Sequence, residues 1–103
     1  MRVVFCTCPA ESARDIAHSL VNEGLVACVN IVPGLRSVYR WKGEVCEDAE
    51  SLLIIKTRAS LLPKLTERLV DIHPYEVPEV IALPLAEGEG NPDYLQWLLE
   101  QTA

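Results

Sequence analysis

The side chains best suited to chemistry in this 103-residue chain are its four cysteines and two histidines. Cys6 and Cys8 stand two apart in a β-branched and aromatic run, so an extended backbone points both to one face. His73 precedes Pro74, where a helical pattern stops. Thiol and imidazole together suit soft or borderline cations, copper and zinc above calcium or magnesium. Cys28 and Cys46 stand alone and no C-x-x-C occurs, so neither a zinc finger nor a disulfide framework is read. Each of the four thiols also fits a small buried apolar position. His18 falls on the polar side of a helical pattern and is expected to be solvated. Cys6 and His73 do not complete a nucleophile and its base, because no orienting acid or oxyanion loop stands at a recognisable spacing. Gly43, Gly88 and Gly90 fall at turns and build no phosphate loop. The chain is not expected to be an enzyme.

Composition narrows the partners. Fifteen acidic residues against nine basic ones give a net charge of −6, with no stripe of Lys or Arg, which argues against nucleic acid. Glu44, Glu47, Asp48 and Glu50 are read as a solvated face. No run approaches the ~20 apolar residues that span a bilayer, and Val3-Val4-Phe5 is too short for a signal-peptide centre. A cytoplasmic protein with reduced thiols is expected.

These side chains must be carried by a compact set of elements, expected as a single domain over residues 1–103. Arg2–Thr7 reads as a strand closed by Pro9. Ala13, Ile16, Ala17, Leu20 and Val21 repeat at helical spacing, with Gly24 as the stop. Val26–Trp41 is strand-like, with a bulge expected at Pro33-Gly34. Lys42-Gly43 signals a tight turn into a second long strand, Glu44–Thr57. Ser60 is the expected cap of a helix with Pro63 in its first turn and a stripe of Leu62, Leu65, Leu69 and Ile72. Glu79–Leu85 is a further strand, and Asn91-Pro92 opens a last helix bearing Tyr94, Leu95, Trp97 and Leu98.

The order β-α-β-β-α-β-α predicts an α+β fold: a ferredoxin-like βαββαβ antiparallel sheet with a long hairpin arm and an extra C-terminal helix. Right-handed crossovers put both crossover helices on one face of the sheet. Yet Val3-Val4-Phe5, Val26-Ala27-Cys28-Val29, Leu52-Leu53-Ile54-Ile55 and Val80-Ile81-Ala82-Leu83 are apolar on both faces. Something must bury the second face, and copies of the same chain are the expected cover, with the last helix folded across it as a lid the alternative. Tyr39 and Trp41, near the tip of the arm, are the expected interface residues. The end of the second helix and the end of the first strand need not lie on one side of a subunit, so a Cys6–His73 site is easier to build across an interface.

The stretches "ACVNIVPG", "SVYRWKG", "LLIIKT", "HPYEVPEVIALPL" and "YLQWL" resemble the CutA divalent-cation-tolerance family, from Val3 to about Leu99. The resemblance implies the same ferredoxin-like fold, a homotrimer, a cytoplasmic setting and a role in tolerance of copper and other divalent cations, with no cofactor required for folding. It also implies copper ligands at Cys6 and His73. The first position of the family's histidine pair is Ile72 here, and Cys8 or Glu79 are the substitutes the sequence offers. CutA trimers resemble the PII signalling proteins, which bind small ligands in clefts between subunits. By that likeness Lys56, Tyr75, Glu79 and Trp97, with Cys6, would line a ligand cleft. Interface packing by Tyr75 and Trp97, with a Lys56–Glu79 ion pair, is the competing expectation. A scaffold valued only for its stable trimer is a third.

Overall fold

The computed structural model describes residues 1–102. Strand β1 (Arg2–Cys8) is followed by helix α1 (Ala10–Asn22), strands β2 (Cys28–Trp41) and β3 (Glu44–Thr57), helix α2 (Leu62–Ile72), strand β4 (Ile81–Pro84) and helix α3 (Pro92–Glu100). The sheet runs β2-β3-β1-β4 with every neighbour antiparallel, the predicted ferredoxin-like order.

The core forms where helix stripes meet one face of that sheet. Val4, Cys6 and Cys8 lie opposite Ile55, Leu53 and Ser51 in register, so all six side chains share a face. Ala13, Ile16 and Leu20 of α1 and Leu65 and Leu69 of α2 pack on Val4, Cys6, Cys8, Leu53 and Ile55. Burying a leucine such as Leu20 or Leu69 completely stabilises the fold by about 1.5–3 kcal/mol. Gly24 stops α1 in the left-handed region, at φ 72°.

Three local expectations change. Ser60 does not cap α2: a 3-10 turn over Ala59–Leu61 leads straight into the helix, whose cap position is Leu61 with no side-chain bond. The last strand covers Ile81–Pro84 rather than Glu79–Leu85, because β4 finds partners only along Arg2–Phe5. The third strand's acidic face is not wholly solvated, for Glu50 is buried. Asn91 does cap α3, its side-chain oxygen accepting from the Asp93 amide at 3.1 Å.

The second face carries Val3, Phe5, Leu52, Ile54, Val32, Ile81 and Leu83. Helix α3 covers part of it. Beyond that cover Ile81 is 54% exposed and Leu83 48%. The bulge explains which arm residues join this face. Val32 pairs with Leu52 but Leu35 pairs with Glu50, so β2 spends one extra residue at Pro33-Gly34. Gly34 takes φ 82°, a conformation that suits glycine. The extra residue inverts the alternation of β2, bringing Ser37, Tyr39 and Trp41 onto the face of Val32 instead of the opposite one.

Candidate functional site

His73 ends α2 with an extended backbone, ψ 140°, and its ring is folded back onto β1. Its Nδ1 accepts the Tyr75 backbone N–H at 3.0 Å, and its Nε2 lies 2.8 Å from the Thr7 carbonyl. An amide can only donate and a carbonyl only accept, which fixes a neutral imidazole protonated on Nε2. Thr7 lies beyond the stretch of β1 that β4 pairs with, so the ring supplies a partner that the sheet does not.

The end of α2 and the end of β1 therefore meet inside one chain, contrary to the expectation of an interface. Cys6 and Cys8 are fully buried beneath the helices. Burial pushes the Cys6 thiol up to about 12, with the Cys8, Glu79 and Glu50 charges adding to the effect. A thiolate is what a metal binds. With no metal bound, Cys6 is thus enclosed and protonated and His73 has both nitrogens engaged, so a copper ion would have to displace that proton and one of the His73 bonds. Among the described residues no three of His, Cys, Asp and Glu converge as a cation cage.

What does converge is a groove of about 620 Å³ on the second sheet face. One wall is the hairpin arm, through Tyr39, Trp41 and Glu50, and the other is the Tyr75–Glu79 segment. Thr7 and Ser37 add hydroxyls. Tyr75 spans the two walls, its hydroxyl donating to Glu50 Oε2 at 2.7 Å. Burial, then the bond to Glu50, drives the Tyr75 phenol well above its ordinary range. On the arm, Tyr39 donates to Asp48, and this bond pushes the Tyr39 phenol up to about 12.

The expected ligand cleft is divided by this geometry. Tyr75 and Glu79 line the groove, whereas Lys56 lies six residues from Glu50 along β3, about 20 Å away. Lys56 Nζ is 3.3 Å from the Tyr94 hydroxyl and packs over that ring, which in turn leans on Trp97 with centroids 5.6 Å apart. Cys6 lies on the other face of the sheet, so it does not line the groove. No Lys56–Glu79 ion pair forms among the described residues. Tyr39 and Trp41, expected at an interface, are 42% and 46% exposed along the groove wall.

Glu50 was hidden from a reading by charge, which grouped it with Glu44, Glu47 and Asp48. Period-two alternation offered the signal: Glu50, Leu52 and Ile54 share one face, and a carboxylate continuing an apolar row is placed to be enclosed.

The profile described as CutA1 divalent ion tolerance protein matches residues 2–101. This chain belongs to that family. The divalent-cation tolerance protein CutA of Thermus thermophilus is 59% identical over 97% of this chain and 96% of its own length. Its solved structure superposes with a TM-score of 0.93 over the whole of both chains. Mouse Protein CutA is 52% identical over 95% of the chain, which spans only 55% of the mouse protein's length. The structure titled PII-like protein CutA from Nostoc is 35% identical, with a TM-score of 0.93 over 100% of this chain and 98% of the Nostoc chain. The family and the Thermus relative are named for tolerance and not for a reaction. No helix among the described residues is long and apolar enough to cross a membrane.

Proposed function

We propose that this CutA1-family chain acts in the divalent-cation response as a cytoplasmic homotrimeric binding protein, PII-like in manner, whose ligand enters the groove between arm and Tyr75–Glu79 segment. The observation that carries this reading is the position of the groove, on the sheet face that the helices cover only in part. Assembly through that face would bury Ile81 and Leu83 and deepen the groove at the same time. Removing apolar surface from water stabilises association by roughly 25 cal/mol per Å² before ordering costs. Sedimentation velocity at micromolar protein should give a trimer. Folded, soluble monomers would sink the assembly, and a Leu83→Glu change should push the wild-type trimer in that direction.

Copper bound by Cys6 and His73 is the reading that the family resemblance suggests. Its support here is the meeting of His73 with Thr7, the neighbour of Cys6. Binding would cost the Cys6 proton and a His73 hydrogen bond, the latter worth about 1 kcal/mol, and Ile72 contributes nothing. Calorimetry with Cu²⁺ tests it: equal heats from wild type, Cys6→Ser and His73→Ala remove both residues from any copper site.

A further inference from the structure

Glu50 is 7% exposed, and its only side-chain hydrogen bond among the described residues is from Tyr75 to Oε2. No Lys, Arg or His lies within ion-pair distance of it among the described residues. Every fully buried side-chain nitrogen or oxygen has a partner among the described residues, so the unpartnered Oε1 must reach open space, and Glu50 is a wall of the groove. A mostly buried carboxylate without a counter-charge is expensive, and the penalty is removed by a cation that also donates hydrogen bonds.

The remaining lining says what kind of cation. Glu76 and Glu79 stand on the facing wall and no basic side chain lines the groove, so more than one positive charge is accommodated. The carboxylates do not close on a common point as a bare ion requires among the described residues. Tyr39 and Tyr75 offer ring faces, which attract ammonium groups and cover methylene chains, while the Trp41 ring beside them already holds the Lys42 ammonium 5.9 Å from its centroid. We infer that the groove of this chain is a binding site for an alkyl-ammonium ligand of the diamine or polyamine class, one ammonium donating to Glu50 Oε1 and the chain lying along the aromatic wall. This inference rests on the proposed reading of the groove as the ligand site and adds the ligand's chemistry.

Spermidine is the probe, titrated by calorimetry into the full-length protein, with Mg²⁺, Ca²⁺ and Cu²⁺ titrated separately. Saturable spermidine binding is expected, weakened about tenfold or more by Glu50→Gln, the loss typical of a charge-assisted hydrogen bond. Glu67→Gln on α2, away from the groove, should leave it unchanged. Circular dichroism and sedimentation check that each variant folds and assembles. Should Glu50→Gln fail to fold, Glu79→Gln on the exposed segment carries the test, with a several-fold loss expected. Absence of saturable spermidine binding, or equal binding by both groove variants and wild type, overturns the inference. If a divalent ion binds in a Glu50-dependent way and spermidine does not, the groove survives as the ligand site and the amine assignment falls. If nothing binds there, both fall. A neighbouring copy's basic side chain filling the groove would show as no spermidine binding together with a loosened assembly in Glu50→Gln, and would also overturn it.

Discussion

At the scale of single residues, protonation state decides more than residue type. Cys6 has the right element for copper but sits where burial holds its proton, and His73 has the right ring but spends both nitrogens on backbone groups. Alkylation by iodoacetamide at pH 8.5 should therefore modify Cys28 and Cys46, which are partly exposed, before Cys6 and Cys8. Peptide mass spectrometry with and without denaturant reads the order, and early labelling of Cys6 would contradict its enclosure. A second residue-scale expectation concerns Glu23, just beyond α1. Arg68 of α2 grips it with bonds of 2.8 and 3.1 Å and holds its carboxyl below the ordinary 4.5. A lowered carboxyl favours the folded state above pH 4.5, and that advantage is lost as pH falls through the folded value. Urea unfolding across pH 3–6 should show a small loss on acidification that is shallower in Glu23→Gln. The effect is modest because the pair is exposed.

Elements decide which of these residues can meet. The β-bulge is the strongest case, since a single inserted residue puts Tyr39 and Trp41 on the groove side of the sheet. Deleting Gly34 should remove the extra residue while Val32–Leu52 and Leu35–Glu50 stay paired, so strict alternation returns and both rings keep the groove face. The measurable outcome is groove binding and self-association that persist, with far-UV circular dichroism still showing strand and helix. Loss of both properties would mean that the arm slips by one residue and turns the rings to the opposite face. Pro33-Gly34 made this bulge legible in the sequence, because proline cannot donate to a ladder and glycine accepts a positive φ. The sequence did not reveal the 3-10 entry into α2. Ser60 looks like a cap by type, yet Leu61 bonds to the Arg58 carbonyl and starts the turn before a side-chain cap is needed.

For the whole molecule, the order of elements and the two-sided apolar sheet were readable, because both follow from periodicity along the chain. Distances between segments far apart in sequence were not. Lys56 and Glu79 both stand in recognisable motifs, but β3 carries Lys56 toward α3 and away from the groove, so shared motif membership did not mean proximity. His73 and Thr7, separated by most of the chain, meet because β4 is short and leaves the end of β1 uncovered.

The arm's tip has a kinetic consequence. Lys42 and Gly43 both take positive φ, 51° and 83°, a turn whose handedness matches the twist of the strands it joins. A correctly wound hairpin needs no distant partner, and such units close in about 1–10 μs. β2 and β3 can zip early and offer β1 a template, leaving the remote docking of β4 for the end. Gly43→Ala should then retard refolding more than it hastens unfolding in a stopped-flow chevron, and a change confined to the unfolding limb would place the hairpin late.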